Sequence, residues 1–344
     1  MASIIRCSWL IGSILSGAIA LFSGCIETTA GFLAGDDLRY VMSCDPLECG
    51  HNDSWFNDNR FGQGRTDLLQ TERGATWLGV VSADGSSYRL DVRDSTFVGL
   101  DWNTNDVVLQ GEELYGGYIE VEVETEGELV NYRLHLDAPD EGVELPFDMT
   151  MMQREVIFFK MTFVKEGSQN AYFLCSGTNP RERIAIPVGD AHYDIETGVL
   201  DPPTDGSNMS DWFNIACGMH ALQKSVLLGS DPQLTGAYAT TALERQATVR
   251  MIRADYLGDG VSYTEAGTLL WWQNRSGWVV AGAPDPTSPT QVVEAYWRHD
   301  GAVCLNHARA PTILPDIDVL GIPTCDEFDP DTQSWDWVTY IDPS

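Results

Sequence analysis

Positive charge is scarce in this chain. Lys160, Lys165 and Lys224 are the only lysines in 344 residues, and 20 Lys and Arg face 51 Asp and Glu, a formal net charge of -31. A phosphate backbone has to be met by a basic face, so nucleic-acid binding is excluded. Electrostatic docking on anionic lipid is disfavoured for the same reason. Long apolar runs are missing after residue 25, so no later segment reads as a membrane span. The usual catalytic signatures are missing too: there is no G-x-S-x-G, H-E-x-x-H, G-x-x-x-x-G-K-[ST] or G-x-G-x-x-G, and no EF-hand loop pattern. No C-x-x-C occurs and no cysteine has a histidine at zinc spacing, which argues against a zinc site. No internal repeat of fixed period is visible. What is present is a globular composition, 43% hydrophobic and 21% charged, in a length that suits roughly two domains.

The N-terminus reads as an address. Arg6 is the only charged side chain before Glu27, and Cys7 to Gly24 is uncharged and rich in Ile, Leu, Ala, Gly and Ser. Leu21-Phe22-Ser23-Gly24-Cys25 follows. A basic start, an apolar stretch and small residues before a cut site make a secretory signal. The ending resembles a bacterial lipobox, in which the Cys thiol is lipidated and becomes the mature N-terminus; Phe22 departs from its usual aliphatic residue. The expectation is a signal peptide over 1–24, lipidation of Cys25 and a tether over 26–43. Ile26, not Asp, follows the cysteine, which points to an outer-membrane lipoprotein; the alternatives are a secreted or periplasmic protein.

Six cysteines remain after Cys25: Cys44, Cys49, Cys175, Cys217, Cys304 and Cys325. An even number in an exported chain reads as disulfides, and sequence alone leaves the pairing open. Proximity suggests Cys44 with Cys49 and Cys304 with Cys325, leaving Cys175 with Cys217.

Residues 41–70 read as loop. From Ala75 apolar and polar residues alternate in short runs, such as Tyr118-Ile119-Glu120-Val121-Glu122-Val123 and Val130-Asn131-Tyr132-Arg133-Leu134-His135-Leu136, separated by turn signals. That is the pattern of an antiparallel sheet with one face buried. Val156–Val164, Tyr172–Cys175 and Ile184–Val188 predict further strands. Two helices are expected next. Asp211 caps one running to about Leu228, with Ile215, Met219, Leu222 and Val226 on one face. Thr240 or Thr241 caps another through Arg253, with Leu243, Ala247, Met251 and Ala254 on one stripe. Trp271-Trp272, Trp278–Val280 and Gly301–Leu305 read as strands, and Thr290–Trp297 as a short helix. The fold class is α+β, mainly antiparallel β with a helical pair in the C-terminal half, stabilised by disulfides. The domains are a β-rich N-terminal domain over 44–150, a second over 151–325 and an acidic tail over 326–344.

The second half contains Arg253-Ala254-Asp255-Tyr256-Leu257-Gly258-Asp259-Gly260, then Glu265-Ala266-Gly267-Thr268. Downstream stands Gly301-Ala302-Val303-Cys304-Leu305-Asn306-His307-Ala308-Arg309. Upstream stand Ile186–Asp194, Phe213–Cys217 and Ala221–Val226. In order and spacing these blocks resemble the ADYC-domain proteins of myxobacteria and related bacteria, over roughly residues 155–325. The resemblance implies a domain and not a reaction. The family's name-giving cysteine is Leu257 here, and Ser225 and Thr248 stand where relatives carry cysteines. The resemblance therefore implies that one bridge between the two helices is lost, and that the motif cysteine is structural, because a nucleophile cannot become Leu with its chemistry retained.

Asp255, Asp259 and His307 are the candidate polar cluster, with Arg253 and Arg309 able to hold an anion. The competing reading has Asp255 and Asp259 pinning a Gly-rich turn through arginine partners, with His307 a buried hydrogen-bonding residue. Trp271, Trp272 and Trp278 could stack on sugar rings, though strand spacing makes them core. The function expected is a non-catalytic surface binding or scaffold module, anchored to a membrane by lipid, with a protein or glycan partner and no cofactor. The alternatives are a hydrolase using Asp255 and His307, or a Ca2+- or glycan-dependent adhesion module working through the acidic surface and the tryptophans.

Overall fold

The structure is a computed structural model. It describes residues 59–60, 75–125, 128–141, 143, 156–175, 180–194, 198–200, 210, 212–218, 220–264, 270–275, 279–280, 291–310, 314 and 317–341. The expected signal peptide, Cys25, the tether, Cys44, Cys49, Asp211, Glu265–Thr268 and Trp278 lie outside the described residues.

Strands β1 (Asn59–Arg60), β2 (Ala75–Val81), β3 (Ser87–Arg93), β4 (Thr96–Leu100), β5 (Val107–Gln110), β6 (Gly117–Thr125), β7 (Glu128–Asp137), β8 (Phe159–Lys165) and β9 (Ala171–Phe173) come first. Then come β10 (Ile184–Gly189), β11 (Tyr193–Asp194), β12 (Val199–Leu200), β13 (Trp212–Cys217), α1 (Ala221–Leu227) and α2 (Ala242–Arg253). Last are β14 (Trp271–Asn274), β15 (Val279–Val280), β16 (Val292–Arg298), β17 (Gly301–Leu305) and β18 (Trp337–Ile341). An eleven-stranded antiparallel sheet runs in the order β1-β13-β10-β8-β7-β6-β2-β3-β4-β5, with β9 on the side of β8. A five-stranded sheet runs β15-β14-β18-β16-β17, and β11 pairs with β12 alone. Among the described residues, mainly antiparallel β, two helices in the second half and two disulfides make this α+β, as expected.

Alternation builds the first core. Ile119, Val121 and Val123 of β6, Tyr132, Leu134 and Leu136 of β7, and Met161 and Phe163 of β8 all point inward. Trp77, Phe97 and Phe159 complete it, with the Trp77 and Phe213 rings 5.0 Å apart edge to face. A second core gathers α1, α2 and the inner face of the five-stranded sheet. Strands β10 and β13 stand between the two cores and are buried at every position. In β10, Ala185 faces the first core while Ile184, Ile186 and Val188 face the second. In β13, Phe213 and Ile215 face the first and Ala216 the second.

That shared wall explains several departures from expectation. Residues 212–217 form a strand, not the first two turns of a helix, and only Ala221–Leu227 is helical. A continuous apolar run buried on both faces has no period that separates strand from helix. The expected boundary at residue 150 falls inside one sheet, because β7 pairs with β8 from Tyr132–Lys165 to Asp137–Lys160. Residues 292–298 are strand β16 rather than helix, in keeping with the Val-Val and Tyr-Trp pairs they contain. The segment expected as a solvated acidic tail carries β18, which lies between β14 and β16 with Trp337, Val338 and Ile341 buried. Within the expected loop 41–70, Asn59–Arg60 pairs with β13.

Helix α2 starts as expected: Thr241 is the N-cap, its hydroxyl accepts the Glu244 N–H, and the Glu244 carboxylate accepts the Thr241 N–H. Its buried face differs from the expected stripe. Leu243 is 56% exposed, while Gln246 to Arg253 are all buried. Two disulfides, Cys175–Cys217 and Cys304–Cys325, tie β9's end to β13 and β17 to the following loop.

Candidate functional site around the Arg-Ala-Asp-Tyr motif

Helix α2 ends at Arg253, and Ala254 turns the chain through left-handed φ +52. The Asp255 N–H donates to the Arg250 carbonyl at 3.0 Å, closing the end of the helix. Asp255 is fully buried. Its Oδ2 accepts the Arg250 guanidinium and the Gly260 N–H, the latter at 3.0 Å. Burial pushes the Asp255 carboxyl above its ordinary value, opposed by Arg250, Arg253 and the Gly260 N–H. Arg253 donates to the Gly260 carbonyl, and its own carbonyl accepts the Ser262 hydroxyl at 2.9 Å and the Tyr263 N–H at 3.1 Å. The motif thus closes a turn onto itself.

Tyr256 carries the turn into the second core. Its ring stacks on Trp297 at 5.2 Å and on Tyr263 at 5.7 Å. Its hydroxyl donates to Glu294 Oε1 at 2.7 Å and accepts the Arg309 N–H at 2.8 Å. Arg309 grips the same carboxylate twice: Nε donates to Oε1 at 3.1 Å and Nη2 to Oε2 at 3.0 Å. Its Nη1 donates to the Ile252 carbonyl at 2.9 Å, at the end of α2. Burial and the neighbouring Glu294 carboxylate push the Tyr256 hydroxyl well above its ordinary value. Gly258 and Gly301 allow the turn to press onto the β16–β17 hairpin. Both have positive φ, and a Cβ would stand 2.3 Å from the Asp300 carbonyl oxygen at Gly258 and 2.5 Å from that of Tyr256 at Gly301.

The structure therefore splits the expected polar cluster. Asp255 is sealed inside, whereas His307 and Asp259 are exposed; His307 is not the buried residue expected. Asp259 Oδ1 accepts the Val261 N–H at 3.0 Å within the turn. Asn306 Oδ1 accepts the Cys325 N–H at 2.8 Å, beside the Cys304–Cys325 bridge. Arg309, offered as an anion holder, is spent on Glu294. Among the described residues, no three His, Cys, Asp or Glu side chains gather as metal ligands. Trp272 is buried and Trp271 half-buried in β14.

Sequence reasoning missed Glu294 and Arg250. Glu294 had a signal: it is a lone charge inside Val292-Val293-Glu294-Ala295-Tyr296-Trp297, where a buried strand must find it a partner. Thr248 and Ser225, the positions at which the resemblance implied lost cysteines, are buried and hydrogen-bonded. Thr248 Oγ1 lies 2.7 Å from Ser230 Oγ and accepts Trp337 Nε1 at 2.9 Å, joining α2 to β18. Ser225 Oγ donates to the Leu222 carbonyl at 2.8 Å. Leu257, at the name-giving position, is 44% exposed.

The fold and this network define a class: a disulfide-bonded α+β domain whose signature turn is wired into its own core. A family model, the ADYC domain, matches residues 120–311, and the chain belongs to that family. The match begins within β6 and ends just past Arg309, so it takes in part of each core and leaves out β2–β5 and β18. No curated protein and no solved structure matches the chain.

Proposed function

We propose that this protein is a non-catalytic binding or scaffold module that works outside the cytoplasm, held to a bacterial envelope, in the outer membrane, by lipid on Cys25. The observation that supports it best is the inward use of the motif's polar groups. Arg250 pairs with Asp255, and Tyr256, Glu294 and Arg309 hydrogen-bond one another, all inside the core. A catalytic acid or base must reach the proton it moves, and Asp255 has no exposed surface. Two disulfides favour an oxidising compartment. The surface is left to do the work, and its acidity selects neutral or cationic partners.

The test has two parts. The full chain, made with its leader in a bacterium with two membranes, is fractionated, and its mature N-terminus is read by mass spectrometry. A lipid-modified Cys25 as the mature N-terminus in the outer-membrane fraction, with Cys25→Ser lacking the lipid and absent from that fraction, supports the anchor; an unmodified residue 25 overturns it. The same preparation is then assayed on ester, phosphate and glycoside substrates. Turnover that Asp255→Asn or His307→Ala removes while the melt stays unchanged overturns the non-catalytic reading.

A further inference from the structure

An open sheet ends on strands whose outer main-chain groups lack a partner, and proteins usually blunt such strands with lysine, proline or a covering loop. The five-stranded sheet covers its β17 end. There the Ala302 N–H donates to the Tyr256 carbonyl at 2.8 Å, and the Leu305 N–H to the Pro323 carbonyl at 2.9 Å. The β5 end of the eleven-stranded sheet is different. Strand β5 pairs with β4 alone and contains neither lysine nor proline. Val107 and Val108 are 40% and 45% exposed, and Val108 is the extra residue of a bulge, with no partner on β4. The Gln110 N–H is taken by the Glu113 carboxylate at 2.9 Å. Among the described residues, no element other than β4 hydrogen-bonds the main chain of Val107, Val108 or Leu109.

The surroundings select the occupant. From Asp94 to Tyr132 the chain has no lysine, arginine or histidine, and Asp101, Asp106, Glu112 and Glu113 stand before and after β5. The arginines of the adjoining hairpin stand on β3, where Arg93 pairs with Asp91 at 3.1 Å. A second copy of this chain, with the same net charge of -31, would set those carboxylates against their own counterparts. Like charges facing each other across paired strands repel. We propose that β5 is a docking edge, and that its partner is an extended segment of another protein, rich in lysine or arginine, which adds to the sheet as a further strand. Main-chain hydrogen bonds to β5 hold the segment, Val107 and Val108 pack against its apolar side chains, and Asp106 and Glu112 meet its cations. This rests on the binding-module reading and gives that module a surface and a partner chemistry.

The probe is a fluorescent peptide of alternating lysine and valine, titrated with the full chain in detergent and read by anisotropy. Saturable binding is expected. Methylating alternate backbone nitrogens of the peptide keeps its charge and should weaken binding at least about tenfold, because main-chain hydrogen bonds give strand addition its affinity. Val108→Lys puts on β5 the residue that blunts natural edges and should weaken binding by about the same factor. Val319→Lys, the same change at a 70% exposed site in the second half, should leave it unchanged. Replacing the peptide's lysines with glutamates should abolish binding. The absence of saturable binding overturns the proposal. So does binding that the methylated peptide or Val108→Lys leaves intact, since charge alone then holds the peptide elsewhere on the acidic surface, and so does equal binding of the glutamate peptide. A dimer in sedimentation that Val108→Lys dissociates also overturns it, the occupant then being a second copy. None of these outcomes removes the binding-module reading, which falls on turnover instead.

Discussion

The two cores of this protein are held by different means. Between β2 and β8 the packing is apolar and periodic: alternate residues point in, and Trp77, Phe97, Phe159 and Phe213 fill the centre. Under α2 the packing is wired. Arg250 with Asp255, and Arg309 with Glu294 and Tyr256, are buried ion pairs and hydrogen bonds that join a helix end, a turn and a hairpin. Burying such charges is expensive, and a buried pair adds little net stability over apolar residues of the same shape, but removing one partner strands the other. The first core should therefore tolerate change in proportion to volume. The second should fail abruptly at single polar atoms. It is in this second region that the family's signature residues lie.

The largest effect is expected at Arg309→Met, which strips the buried Glu294 of its ion partner and leaves it the Tyr256 hydroxyl; equilibrium denaturation should show a loss of about 3–5 kcal/mol. Replacing both cysteines of the Cys175–Cys217 bridge with Ala releases a separation of 42 residues. That should lower stability by about 3–4 kcal/mol in the same assay. Tyr256→Phe removes the hydroxyl between Glu294 and the Arg309 N–H and should cost about 1–3 kcal/mol. It should also change the pH profile. The folded protein holds the Tyr256 proton well above pH 10, while the unfolded chain releases it from about pH 10. Stability of the unaltered protein should thus fall as pH rises past about 10. The Phe variant should fall less. In the periodic core, Ile119→Val should cost only about 1 kcal/mol.

The smallest effect runs the other way. Among the described residues Lys224 has no ion partner; burial, and to a lesser degree Arg309, pull its amine down to about 8. The folded state must charge it below pH 8, whereas the unfolded chain keeps the proton to its ordinary value of 10.5. The penalty is present below pH 8 and is relieved as pH rises from 8 to 10.5. Because the side chain is only partly shielded from water, Lys224→Met should gain about 1 kcal/mol at pH 7 in thermal melts, and less at pH 10.

The contrast also explains what could be read from the sequence. Strands β6 and β7 were legible because Glu120 and Glu122 alternate with Ile119, Val121 and Val123 across a half-exposed sheet. Helix α2 was legible at its start because Thr241 and Glu244 form a capping box. Strand β13 was not, since both faces of Trp212–Cys217 are buried and the period vanishes. Strand β18 was hidden by its acidic surroundings: Asp329, Asp331 and Asp336 suggested a tail, yet Trp337–Ile341 fills the centre of the second sheet. The motif turn was visible as residues, but not its partners. Glu294 lies 38 positions from Tyr256, a separation that no local pattern encodes.

The measurement that bears most directly on this account is a double-mutant cycle in urea on the unaltered chain, Glu294→Gln, Arg309→Met and the pair together. If the motif region serves as internal wiring, each single change should destabilise by several kcal/mol. The pair should then recover much of the loss, a coupling of about 1–3 kcal/mol between contacting residues. Singles that leave the unfolding midpoint where it was, or a pair whose loss is the plain sum of the singles, would contradict it.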